Sequence, residues 1–173
     1  MNFLKTFIIS LVIYLGLNTV FTLIAMFTVA GFPTTDIMLI ITMIFAPIFT
    51  FPGAAWATNG IVPLLTSTDF FTDFMVFLSL IVPPLVTVIV ASFLGDSDKT
   101  VFGAWFLTAL ITCVVYAVLL GIGQSISANL AIDWFAKVAT YGELGTILVV
   151  FISGFANGFF YGCVAYLIAK EGL

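Results

Sequence analysis

The chain has 173 residues, 63% of them hydrophobic and 7% charged; soluble domains typically carry about 25% charged residues, so these proportions exclude a water-soluble fold. Eight acids against four lysines give a net charge of −4 and leave no basic stripe to neutralise nucleic-acid phosphates. Histidine is absent, which removes the commonest metal ligand and the usual haem ligand, and no cofactor is expected.

Long apolar runs recur, each a candidate membrane span. They are apolar on consecutive positions rather than alternating, which argues for helices over barrel strands. The expected fold is all-α: a polytopic integral membrane helical bundle of one domain over 1–173. It has four or five transmembrane helices, a proline-broken segment and one amphipathic interfacial helix.

The first run, 7–30, follows Lys5 and is closed by Gly31, Phe32 and Pro33. It is longer than the roughly 7–15 residues of a signal-peptide core, so it is expected to be a first span rather than a leader. Asn18 lies near its middle with Thr19 and Thr22 nearby, and predicts a hydrogen bond to a neighbouring helix. Thr34, Thr35 and Asp36 supply an N-cap for the next helix. From Ile37 to Phe51 a helix would reach roughly 22 Å at 1.5 Å per residue, short of the ~30 Å hydrocarbon core. Pro47 bends this segment and Pro52-Gly53 breaks it; the apolar stretch that follows holds Asn59, Gly60 and Pro63. Two shapes fit: one kinked span over 37–58, or a re-entrant pair of half-helices reaching 66, in which Thr58-Asn59-Gly60 would line a protein or water-filled surface.

Ser67, Thr68 and Asp69 cap a span over 70–94, with Asp73 in its first turn and Pro83-Pro84 expected to kink its middle. Gly95 to Lys99 forms a short polar hairpin, so its flanking spans are antiparallel. The span 101–121 carries Ala109, Cys113, Ala117 and Gly121 at steps of four, which share one helix face. Thr108, Thr112 and Tyr116 form a second face. Over 125–141, Ile126, Leu130, Trp134 and Val138 recur at four, with Asn129, Asp133 and Lys137 elsewhere. This pattern predicts an interfacial helix with Trp134 at headgroup depth and an Asp133–Lys137 pair.

The last span, 145–170, holds Gly154, Gly158 and Gly162 at steps of four, extended by Ala165 and Ala169. In lipid, close backbone approach through small residues is a main source of helix association, so this glycine-zipper face is expected to pack on the small face of span 101–121. Cys113 and Cys163 are expected to act as small buried hydrophobes.

Lysines favour the cytoplasmic side. With four spans and a re-entrant segment, Lys5, Lys99 and Lys170 share one side, whereas five spans split the lysines evenly. Every Asp and Glu maps to a loop, a helix end or the amphipathic segment, so no proton path and no nucleophile–base pair or metal site is expected at depth. The chain is not expected to be an enzyme. The polar residues at depth are Asn18, Asn59, Thr108, Thr112, Tyr116, Ser153, Asn157 and Tyr161. They either hydrogen-bond helix to helix or line a pore.

The first functional expectation is a multi-pass, non-catalytic subunit of a larger membrane complex, in the cell membrane, docking neighbouring helices through its small-residue faces. Its partners would be the lipid bilayer and other integral membrane subunits or copies of itself. The alternative is a small homo-oligomeric channel or facilitator for transport of an ion or small polar solute.

Overall fold

The computed structural model describes residues 2–28, 32–66 and 68–171, and every regular element among them is helical. Helix α1 spans Phe3–Thr28. Helix α2, Ile37–Phe45, runs into a 3-10 turn at Ala46–Phe49. After the break come the short α3 (Pro52–Trp56), a π-helical turn (Ala57–Ile61) and α4 (Val62–Thr66). Helix α5 covers Phe70–Leu94, α6 Asp98–Gly123, α7 Ala128–Tyr141 and α8 Glu143–Glu171. Helices α1, α5, α6 and α8 are each long and apolar enough to cross a membrane. The tail of the expected first span at 29–30, its closing Gly31 and the expected cap residue Ser67 lie outside the described residues.

Local chemistry sets the helix starts. Asp36 caps α2, its Oδ1 accepting from the Leu39 amide at 3.0 Å. Asp69 caps α5 through the Thr72 amide at 3.2 Å. Ser97 and Ser127 cap α6 and α7 through the amides of Thr100 and Leu130. Such side-chain oxygens occupy amides that have no partner within the helix. Helix α5 continues as one element through Pro83-Pro84, and the Thr87 hydroxyl donates to the Pro83 carbonyl at 2.7 Å. Gly142, at φ 74°, supplies the left-handed turn between α7 and α8 that a side chain would resist.

Three contacts decide the topology. The short Gly95–Ser97 link places the end of α5 beside the start of α6, so these two helices run antiparallel. Met38, at the start of α2, lies against Gly123 at the far end of α6, and Trp56 and Gly60 of the returning arm lie against Phe77, near the start of α5. Both arms of the broken segment therefore open at the same end of the bundle. The bend between them is 99°. Four long apolar helices thus stand beside a sharply bent pair whose two arms open at one end, which is the shape of the re-entrant alternative. The re-entrant end carries Asp36, Asp69, Asp73, Asp133, Glu143 and a single lysine, Lys137. At the opposite end are Lys5, Lys99 and Lys170 with three acids.

Helix α1 buries an unusual face. Thr6, Ser10, Tyr14, Asn18 and Thr22, at steps of four, are its buried residues, while apolar residues such as Ile8, Val12 and Val20 point outward. Polar groups inside and hydrocarbon outside is what a lipid solvent favours. Around Tyr14 the core is aromatic: its ring meets Trp105 edge-on at 5.3 Å, and Trp105 meets Tyr161 at 5.9 Å.

Candidate functional site

The break in the re-entrant hairpin creates its own chemical demand. In a continuous helix the Ile48 carbonyl would accept from residue 52, but residue 52 is proline and has no N–H. Thr50 is extended, at φ −79° and ψ 119°, so its carbonyl also leaves the helical ladder. The amide nitrogen of Asn157, midway along α8, answers both. It donates to the Ile48 carbonyl at 3.0 Å and to the Thr50 carbonyl at 2.9 Å, and lies 3.0 Å from the carbonyl of Ser153 in its own helix. An amide carries two N–H donors, so three acceptors share them. The backbone carbonyl of Asn157 in turn accepts from the buried Trp105 indole at 3.0 Å. One residue thus ties the hairpin tip to α8 and α8 to α6.

Beside this clamp, α6 and α8 pack antiparallel, with the glycines of α8 set against Cys113 and Ala109 but also against the rings of Phe106 and Phe102. A side-chain carbon placed on Gly154 would lie 2.6 Å from the Cβ of Cys113. At Gly158 and Gly162 the obstruction would be the rings of Phe106 and Phe102, at 2.9 and 3.0 Å. Ala109 and Cys113 are buried, and the Cys113 thiol lies 3.0 Å from the Val150 carbonyl. Ala117 packs at the margin of the core. Gly121 does not belong to this seam, because a side chain there would meet nothing within 4 Å. By that level α6 has reached the end of the bundle, where Leu130 of α7 fills the space over Gly123.

The other polar positions do different work from that expected. Thr108, Thr112 and Ser153 are buried, but their hydroxyls return to the carbonyls of Ala104, Thr108 and Val149 four residues back, at 2.8–2.9 Å. They satisfy themselves within one helix rather than across two. Tyr116 is buried with its ring 6.0 Å from Phe49. Asn59 and Thr58 are exposed on the outside of the returning arm, where the Thr58 hydroxyl lies 3.4 Å from the Asn59 carbonyl oxygen. Asn18 and Tyr161 are buried, yet neither Asn18 amide atom nor the Tyr161 hydroxyl completes a hydrogen bond among the described residues. The helix–helix bond expected of Asn18 is therefore not formed.

The inter-helix bonds that do form include the Trp105 indole, already described, and Ser92, whose hydroxyl donates to the Ala165 carbonyl at 3.0 Å. Neither was singled out by spacing. Asn18, Thr22 and Thr50 instead border a cavity of about 480 Å³ between α1, the first hairpin arm and the first half of α5.

Helix α7 packs one face on the bundle. Its Leu130 is buried and Trp134 packs on the core, while Ile132 and Phe135 face outward. The expected stripe is thus turned toward the bundle, apart from the exposed Ile126. The Asp133–Lys137 pair forms as expected, and the Lys137 ammonium also sits 5.0 Å from the centre of the Phe49 ring, a cation–π contact onto the hairpin.

The cap of α2 is tied to the cap of α7. Asp36 Oδ2 accepts from the Ser127 hydroxyl at 2.6 Å and the Asn129 amide at 2.9 Å. These bonds, from Asn129 first, then Ser127 and the Leu39 amide, hold the Asp36 carboxyl below its usual range. A carboxylate lowered by folding contributes stability above its unfolded value near 4 and loses it as pH falls through the folded value. Amide exchange at Leu39 and Leu130, corrected for intrinsic rates, is expected to stay slow from pH 7 to about 5 and to quicken in stronger acid. Asp36→Ala should make it fast throughout.

The chain matches no known protein family, and no curated protein or solved structure is similar to it.

Proposed function

We propose that this chain is a multi-pass, non-catalytic subunit of a larger membrane assembly, oriented with the Lys5, Lys99 and Lys170 end in the cytoplasm. The observation that carries this reading is the exposed Thr58–Asn59 pair on the π-helical turn. The turn lies beside Phe77, seven residues into α5 and so roughly 10 Å along it. An amide facing hydrocarbon there costs several kcal/mol unless it is hydrogen-bonded. The Asn59 oxygen already faces the Thr58 hydroxyl, and a partner's transmembrane helix covering this arm would supply an acceptor for the Asn59 amide N–H groups. The glycine face expected to dock a partner is instead taken up against α6 within this chain, so in this proposal docking falls to the outer arm of the hairpin. The non-catalytic part is supported by the interior, where the buried residues among those described include no Asp, Glu or Lys: the polar groups there include those of Thr, Ser and Asn, with the phenols of Tyr14, Tyr116 and Tyr161 and the Cys113 thiol.

Extraction in mild detergent followed by native mass spectrometry tests this. The expected species is heavier than the 18.7 kDa chain and contains a second membrane protein. Asn59→Leu should lose that partner while leaving the chain's own thermal stability unchanged or raised. A wild-type chain that is monomeric in mild detergent and conducts a solute in liposomes holding it alone would overturn the subunit reading.

A further inference from the structure

We propose that the cavity between α1, the first arm of the hairpin and α5 binds an uncharged, predominantly apolar molecule carrying a hydroxyl or carbonyl group at one end, of the aliphatic-alcohol class. This rests on observations independent of the subunit reading. The first is the shape and chemistry of the space. Its volume of about 480 Å³ falls within the roughly 300–1,000 Å³ of small-molecule sites. Its wall is mostly apolar, from residues such as Phe21, Met43 and Met75, and includes no charged side chain. A charged ligand would enter without a counter-ion, at a large desolvation cost.

The second observation is the unused hydrogen-bonding capacity at one end. Asn18 is 1% exposed and borders the cavity, and both polar atoms of its amide lack a hydrogen bond among the described residues. The Tyr14 phenol lies beside it and interacts with it, without completing a bond of good geometry. Thr22, one turn further along α1, and Thr50, at the hairpin tip, border the same space. The polar side chains toward the other end are already engaged: the Thr72 hydroxyl donates to Asp69 at 2.7 Å and that of Ser79 to the Val76 carbonyl at 2.7 Å. The unpartnered Asn18 amide therefore lies at the deep end near mid-span, with Thr22 and Thr50 beside the same space, and most of the remaining wall offers hydrocarbon contact. Asn18 can donate to a carbonyl or hydroxyl oxygen and accept from a hydroxyl, which fits a neutral head in either role. A buried amide left unpaired costs about 1–3 kcal/mol, and such a ligand would remove that cost.

The test uses the full chain in phosphatidylcholine nanodiscs with a diazirine-bearing dodecan-1-ol as photoreactive probe. Saturable adducts are expected on 18–25 and 43–50, displaced by excess dodecan-1-ol. Dodecanoate and dodecylammonium at equal bilayer mole fraction should compete at least tenfold less well. Asn18→Leu should lower labelling at least fivefold without lowering thermal stability, and Ala46→Phe, which fills the cavity while keeping Asn18, should do the same. Labelling that does not saturate, that both variants leave unchanged, or that the charged analogues displace equally well would overturn the proposal. Should Asn18→Leu fail to fold, Ala46→Phe and Thr22→Val decide the matter by the same criteria.

Discussion

Replacing Asn157 with leucine is expected to free the hairpin tip and to cost about 1–3 kcal/mol, taking each membrane hydrogen bond at roughly 0.6–1.7 kcal/mol. The Ile48 and Thr50 carbonyls would then face an apolar side chain; residue 52, the helical donor for the first, is proline, and the extended backbone at Thr50 turns the second out of the ladder. Leucine is of similar size and more apolar, so a purely space-filling Asn157 would tolerate the change or gain from it. Asn157→Asp separates the two cases further. Aspartate offers at most one O–H donor when protonated and none when ionised, so part of the loss should remain in this variant and should deepen at alkaline pH. Asn157→Gln, which keeps the donors on a longer arm, should recover part of the loss. Unfolding in mixed micelles gives the stabilities. Amide exchange across 46–56 should rise in the leucine and aspartate variants while exchange in the middle of α6 stays slow.

The second large effect is expected at Gly154. A leucine there must displace the Cβ of Cys113, which belongs to a buried helix facing it. Overpacking typically costs about 1–3 kcal/mol and occasionally more, and this site lies at the upper end because the obstruction is close to backbone. Alanine at Gly154 is the more informative change. It gains up to about 1 kcal/mol of helix propensity but still collides with Cys113, so a net loss is expected. Gly158→Ala and Gly162→Ala meet the rims of phenylalanine rings, which can swing, and should be neutral or mildly stabilising. Gly154→Ala with Cys113→Gly should recover most of the loss, since the clash is removed from the other side. Gly121→Leu is the matching control: with open space around it, it should be tolerated. Denaturation midpoints of these variants check the ranking.

Much of this architecture could be read from residue order because membrane solvent makes simple demands. Long apolar runs become long helices, Asp36 and Asp69 become caps, and Gly154 and Gly158 meet Cys113 and Ala109 between α8 and α6. Spacing alone could not say how the broken segment closes, since a kinked span and a hairpin use the same prolines. The deciding interaction joins Asn157 to carbonyls more than a hundred positions away, and a backbone carbonyl leaves no trace in side-chain patterning. Trp105 escaped notice for the same reason, as its partner is a main-chain oxygen.

The polar face of α1 was different. Thr6, Ser10, Tyr14, Asn18 and Thr22 stand four apart in an otherwise apolar run, and that signal was present in the residues. The spacing of Thr108, Thr112 and Ser153 carries no information about neighbours, because a hydroxyl in a helix can always return to the carbonyl one turn back. Asn59 is exposed on the returning arm, and its direction depends on the π-helical turn, which shifts the register of the arm in a way no periodicity announces.

The re-entrant hairpin fastened by Asn157 is the feature on which the rest of this account depends, and side-specific labelling tests it most directly. Single cysteines at Thr35, Thr68 and Asp96 are introduced into a chain whose Cys113 and Cys163 are changed to alanine, and an impermeant maleimide is added to one face of sealed vesicles. Thr35→Cys and Thr68→Cys should react from the same face and Asp96→Cys only from the other. Reaction of Thr35→Cys and Thr68→Cys from opposite faces would mean that the broken segment crosses the membrane, and would contradict the hairpin.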